Sequence, residues 1–148
     1  MTPPDEENPA WRERIRITDI QLHRSDERSC RVEVELTLAG SARSVGEAGG
    51  EDTPEGRMKA GADATLDALV PVLRGRLELQ LVGVRTHREF DSFLVLAAVH
   101  GVSGGEEYSL IGAVAVPEDQ TVRGAVLAVL DSANRVVERY AMGGAGTS

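Results

Sequence analysis

Three histidines, His23, His87 and His100, are the residues of this chain best suited to acid–base chemistry or metal binding near neutral pH. Their spacing includes neither a pair one helical turn apart nor a His-Glu-x-x-His segment, so no two of them share a face on which to hold a metal ion. We therefore expect no metal and no cofactor. His23 and His87 lie in nearly equivalent predicted hairpins, which leaves open a small enzyme whose site is assembled from these two histidines and nearby carboxylates.

Neither the cysteine nor the glycine-rich segments carry a catalytic pattern. Cys30 opens the apolar face of a predicted strand, which favours a small buried residue over a nucleophile with a base beside it. The segments 46–56 and 102–107 are rich in glycine, but they lack the sequence pattern of a phosphate-binding loop, and their acidic residues would repel phosphate. We predict that both segments are loops.

Two aspartates, Asp67 and Asp131, recur at corresponding positions of two predicted helices. Three interpretations remain open for them. They are solvated helix positions, they pair with Arg74 or Arg135 beside a helix end, or they mark a helix face turned toward a pocket.

Hydrophobic periodicity predicts the elements that position these residues. Alternating apolar residues indicate strands, and apolar residues at three- and four-residue spacing indicate helices. In the first half this pattern predicts strands at 14–22, 30–38 and, more weakly, 41–48, a loop at 49–56 and a helix at 57–73. The apolar phase changes between Ile17 and Ile20, which indicates a bulge, and Pro71 is expected to distort or end the helix.

The second half repeats the same order of elements. It predicts strands at 76–84, 91–102 and 107–116, followed by a helix at 120–138. Asp119 or Thr121 is placed to cap the start of that helix. The middle strand is the more apolar one, so we expect it to be the more buried.

Corresponding elements of the two halves align after a sequence shift that is the same throughout each element, which indicates an internal duplication. The helices align after a shift of 64 residues, a Val/Ile-Gly pair after 66, and the strands after 62, which carries Val32 onto Leu94. The sequence thus predicts an α+β fold, a tandem duplication of a β-β-β-α unit in which one helix packs on each antiparallel sheet. The predicted organisation is a disordered acidic tail at 1–12, a first unit at 13–75, a second unit at 76–140 and a flexible tail at 141–148.

Each predicted helix also carries a stripe of small residues beside its apolar face. The stripes are Ala60, Ala64 and Ala68 in the first helix and Gly124, Ala128 and Ser132 in the second. A smooth stripe lets a helix approach a neighbouring backbone closely. We predict that a homodimer, the commonest assembly, uses this surface, with packing on the chain's own sheet as the alternative.

The order of elements over about 14–140, together with the stretch from Gly112 through AVAVPEDQTVRGAVLAVLDSANRVV, resembles the C-terminal regulatory domain of 2-isopropylmalate synthase and citramalate synthase, without that family's catalytic barrel. The shared features are a glycine, an acidic helix start, a small-residue helix and a terminal Asn-Arg. The resemblance implies a duplicated domain that binds a feedback amino acid at a subunit interface. It also implies ligand-binding residues around the loops between third strand and helix, which are Gly46, Gly49, Gly112, Asp119 and Thr121 here.

Composition excludes several classes of partner. The chain has 148 residues, 41% of them hydrophobic, which is enough for a core, and a formal net charge of −8, which disfavours nucleic acid. No apolar run is long enough to span a bilayer, and the acidic, proline-rich start differs from a secretory signal. A single cysteine forms no disulfide within the chain. We expect a cytoplasmic protein with no nucleic-acid or membrane partner.

These observations favour a non-catalytic binding or assembly module. We expect a stand-alone regulatory domain that holds a small metabolite, an amino acid or a 2-oxo acid, between its lobes or between subunits. Two alternatives remain, namely the small enzyme described above and a protein-interaction partner of a separately encoded enzyme.

Overall fold

Alternating apolar residues and short polar turns build two three-stranded antiparallel sheets, each followed by a helix. The computed structural model describes residues 15–37, 42–73 and 75–146, with side chains as far as Asn134. The strands are β1 (Arg16–Arg24), β2 (Ser29–Thr37), β3 (Arg43–Glu51), β4 (Glu78–Glu89), β5 (Ser92–Ser103) and β6 (Glu106–Val116). The helices are α1 (Pro54–Leu73) and α2 (Thr121–Gly146), and a short 3₁₀ turn, Glu118–Gln120, precedes α2. The predicted α+β fold with a duplicated β-β-β-α unit is therefore confirmed.

The pairing of the strands corrects the predicted alignment of the two halves. Ile20, Val34 and Gly46 form one row across the first sheet, and Val84, Ala97 and Gly112 form the matching row of the second. The shift is thus 64 residues for the first strand and 63 for the second, so the predicted shift of 62 is wrong. For the second strand the error is one residue. Because successive side chains of a strand point to opposite faces, this error assigned the side chains of β5 to the wrong face of the sheet.

The correct partner of Val32 is Val95, and both are fully buried. The predicted partner, Leu94, lies on the outer face of β5, where it is only half-buried. The two faces of β5 are similarly apolar, so hydrophobicity alone did not distinguish them. The expectation that the middle strand β5 is the more buried one is confirmed.

The predicted bulge in β1 is confirmed, and it recurs in the second unit. The register of β1 shifts around Thr18, and that of β4 shifts around Val82, which is 64 positions later. A bulge adds one residue to one strand and bends it. Its repetition at equivalent positions is independent support for the duplication.

The core lies where the inner faces of the sheets meet the helices. α1 packs on β2 and β3, and α2 packs on β5 and β6. The helices also pack on each other at Gly61, where an added methyl group would lie 3.2 Å from Val122 Cγ1. α1 makes further contacts with β4 of the second sheet. The two units are therefore joined mainly through α1.

Each helix lies directly on a glycine of the third strand of its own unit. A Cβ atom on Gly46 would overlap the carbonyl oxygen of Ala64, and one on Gly112 would overlap that of Ala128. The small-residue stripes of both helices are buried within the chain by this packing. The alternative of packing on the chain's own sheet is thus correct for these stripes, and they do not provide a dimer surface.

The two repeated aspartates fix each helix to the adjacent strand. Asp67 Oδ2 accepts a hydrogen bond from the backbone N–H of Glu47 at 3.0 Å, and Asp131 Oδ2 accepts one from the N–H of Ala113 at 3.2 Å. Both bonded N–H groups belong to the residue after the buried glycine. The aspartates are therefore not merely solvated, and the predicted partners Arg74 and Arg135 lie outside the described side chains.

The segment 49–56 is not the loop that its glycines predicted. β3 continues to Glu51, because Gly49 and Gly50 pair with β2, and α1 begins at Pro54. Thr53 Oγ1 accepts the N–H of Gly56 at 2.9 Å, and proline is favourable in the first turn of a helix. The Thr-Pro-Glu sequence was the signal of a helix start.

The first helix ends at Leu73, as the predicted range 57–73 gives, whereas the second helix ends later than predicted. α1 continues through Pro71 to Leu73. The backbone of α2 continues to Gly146, so the helix enters the segment 141–148 that was assigned to a flexible tail.

The outer faces of the two sheets differ in character. The first is charged and carries ion pairs such as Arg31–Glu47 at 3.3 Å and Arg43–Glu35 at 3.7 Å. The second has an apolar centre, formed by Leu94, Leu96, Ala98, Ile111, Ala113 and Ala115.

We predict that Gly112→Ala is strongly destabilising, because its methyl group would overlap a helix carbonyl that cannot move without displacing α2. Overpacking of this kind costs about 1–3 kcal/mol, which corresponds to a fall in Tm of roughly 3–10 °C. Gly83→Ala is the matched control, because Gly83 also lies in a strand but has nothing within 4 Å of the added methyl group. Equal thermal stability of the two variants would contradict the close packing.

Candidate functional site

A cleft opens where the first strand of one unit approaches the last strand and helix of the other. It lies between β1 and β6 above α2, with a volume of about 400 Å³. The residues that line it are Ile15, Arg16, Ile17, Ala113, Val114, Arg123, Leu127, Leu130, Asp131 and Asn134. The cleft is therefore formed jointly by residues of both units.

The floor and walls of the cleft are largely aliphatic. α2 contributes Leu127 and the buried Leu130, β6 contributes Val114, and β1 contributes Ile15 and Ile17. Apolar walls of this kind favour the hydrocarbon part of a ligand, because its burial removes apolar surface from water.

The polar groups of the cleft come from β1 and α2. Arg16 and Arg123 are both exposed, and among the described residues neither forms an ion pair or a side-chain hydrogen bond. Asn134 lies in the same cleft, and Asp131 uses only Oδ2 for its bond to β6. Guanidinium groups bind carboxylates through paired hydrogen bonds. The cleft can therefore take an anionic head group beside an aliphatic body.

The spacing of the α2 residues explains how one helix supplies this face. Arg123, Leu127, Leu130 and Asn134 follow one another at intervals of four, three and four residues, which places them on one side of a helix. Asp131 lies beside them. Asp131 therefore borders the cleft as well as bonding to β6.

The structure does not bring the five predicted ligand residues together. Gly46 and Gly112 are buried beneath their own helices in different sheets, and Gly49 is exposed in β3. Asp119 lies in the 3₁₀ turn and Thr121 at the start of α2. Within the described part of the chain, neither side chain makes the predicted capping hydrogen bond. Gly112 alone is next in sequence to a residue of the cleft.

Sequence reasoning missed Arg16, Arg123 and Asn134. The helical spacing of Arg123 and Asn134 was available as a signal. No sequence signal places Arg16 beside them, because the approach of β1 to β6 joins residues almost a hundred positions apart.

The two histidines of the alternative enzyme site, His23 and His87, belong to different sheets. His23 and His87 are equivalent positions in β1 and β4, and each lies on the outer face of its own sheet. His87 Nε2 lies 2.7 Å from Glu89 Oε2, and both side chains are largely exposed. Among the described residues, no group of three or more histidine, cysteine, aspartate or glutamate side chains is arranged to hold a metal ion.

Cys30 is a buried thiol in the first sheet. Its side chain is 5% exposed, and Sγ donates a hydrogen bond to the carbonyl oxygen of Glu51 at 3.4 Å. Loss of hydration raises the pKa of the Cys30 thiol, and the nearby Asp52 carboxylate raises it further. The guanidinium groups of Arg57 and Arg24 oppose this effect only in part.

Comparison with known proteins adds no family to this description. No protein-family model matches the chain, and no curated protein matches it. Neither helix, over the residues described, is long and apolar enough to cross a membrane.

We predict that the Cys30 thiol is unreactive in the folded protein. Burial and the raised pKa both reduce the exposed thiolate, which is the reactive form. Labelling with a thiol reagent at pH 8 should be at least about tenfold slower than labelling of the urea-unfolded chain. Equal rates in the folded and unfolded protein would show that the first sheet opens readily at β2.

Proposed function

We propose that this protein is a non-catalytic binding module that holds a small carboxylate-bearing metabolite, an amino acid or a 2-oxo acid, in the cleft between its two units. The observation that carries the proposal is the pair of arginines, Arg16 and Arg123, which have no acidic partner among the described residues and lie beside an aliphatic floor. A carboxylate ligand would give both guanidinium groups a partner. The cleft provides recognition groups for a carboxylate and for hydrocarbon.

A binding role agrees better with this cleft than catalysis does. Among the described residues, its titratable groups are Arg16, Arg123 and Asp131, and Asp131 is already bonded to the backbone of β6. None of these is a nucleophile with a base beside it. The resemblance to the regulatory domain of 2-isopropylmalate synthase and citramalate synthase supports the same role, since the predicted duplication is present in the structure.

The proposal includes assembly as a homodimer and a reducing, cytoplasmic location, which the single cysteine favours. The small-residue stripes are buried within the chain, so a dimer would use another surface. The mass of the protein in solution distinguishes a dimer from a monomer.

We predict that L-leucine or 4-methyl-2-oxopentanoate raises the Tm of the protein. A ligand that binds only the folded state at one hundred times its Kd stabilises that state by about 2.7 kcal/mol, which is a rise of several degrees in Tm. The two probes share a carboxylate and a branched side chain, and they differ only in the amino or oxo group. The measurement is a thermal-shift titration.

Arg16→Gln and Arg123→Gln should remove most of this rise while leaving the Tm of the free protein nearly unchanged, because both side chains are exposed. Arg85→Gln is the matched control, since Arg85 is an exposed arginine of β4 that lies outside the cleft. An equal rise in all three variants would place the ligand elsewhere. No rise with either probe or with related amino acids and 2-oxo acids would overturn the proposal.

A further inference from the structure

The duplication provides an internal comparison for the cleft, because every lining residue has a counterpart in the other unit. The strand register and the helix shift of 64 residues match β1 with β4, α2 with α1, and β6 with β3. The counterpart positions are Leu79, Gln80, Leu81, Glu47, Ala48, Lys59, Asp63, Leu66, Asp67 and Val70. A second, equivalent cleft would lie between β4 and β3 above α1.

At that second position the strand and the helix pack more closely on each other. β4 packs on α1, whereas in the described residues β1 makes no comparable contact with α2. Of the two equivalent contacts between units, the one at the cleft is therefore the weaker.

The charges of the two positions also differ, although Arg123 has a basic counterpart in Lys59. The place of Arg16 is taken by Gln80, and that of Leu127 by Asp63, a half-buried carboxyl whose pKa is raised by loss of hydration. Glu47 stands where the cleft has Ala113, and it already pairs with Arg31 at 3.3 Å. An anionic ligand would meet more acidic groups there, so the second position is less suitable by charge.

We propose that the chain binds one anionic ligand although its fold is duplicated, and that this ligand takes the place, between β1 and α2, of the packing that β4 makes with α1. This inference rests on the proposed function of the cleft. The ligand then links the first sheet to the second unit, because Arg16 belongs to β1 whereas Arg123 and Leu130 belong to α2. Binding thereby strengthens the weaker of the two equivalent contacts between units.

The test is an isothermal titration of the full chain with L-leucine and with 4-methyl-2-oxopentanoate, together with hydrogen exchange of the free and saturated protein. We expect one site per chain. Arg123→Gln should weaken binding by about tenfold or more, the loss expected for one charge-assisted contact. Lys59→Gln, the counterpart variant in α1, should leave the affinity within about twofold of the original, well under that tenfold step.

Hydrogen exchange gives a second, independent result. Saturation should slow exchange in β1 and the first half of α2, and it should leave β4 and α1 nearly unchanged. Two sites per chain, equal loss of affinity in Lys59→Gln, or equal protection of β4 would overturn the inference while leaving a binding function intact. No saturable binding of either probe to the original chain would instead overturn the proposed function, and this inference with it.

Discussion

The close approach of each helix to one glycine of its sheet is the constraint on which the rest of the structure depends. At Gly46 and Gly112 the helix backbone occupies the space that a side chain would need. The neighbouring aspartates, Asp67 and Asp131, then bond the next N–H group of the strand, so that both the distance and the lateral position of each helix are fixed. Steric contact sets how close the elements lie, and a charge-assisted hydrogen bond sets their register.

The cleft follows from this arrangement. With α2 fixed to β6 at Gly112 and Asp131, its side from Arg123 to Asn134 is presented toward β1 of the other unit. Packing inside a unit brings a helix backbone against a strand backbone at Gly46 and Gly112. The cleft lies at the junction between units, so a ligand bound there contacts residues that are distant in sequence.

The sequence was sufficient to predict the duplication, the class of fold, the bulge in β1 and the burial of Cys30, because these depend on local periodicity. It failed where two patterns were equally apolar or a turn signal was ambiguous. The strand shift was wrong because Leu94 and Val95 are both apolar, and β3 was ended too early because glycines usually mark loops. Most of the cleft was beyond prediction, since the approach of β1 to β6 is not encoded by either strand alone.

The difference between the two units in strand-to-helix packing and in charge is the strongest argument for a ligand site in the cleft. Two copies of one fold offer the same strand-to-helix contact twice, and burial of apolar surface favours making it in both. One copy makes it, since β4 packs on α1, and acidic residues border that contact. The other has Arg16 and Arg123, which have no acidic partner among the described residues, beside a partly exposed aliphatic floor. Apolar surface exposed there costs stability. The proposed carboxylate ligand with a hydrocarbon body would cover this surface and would pair with the arginines.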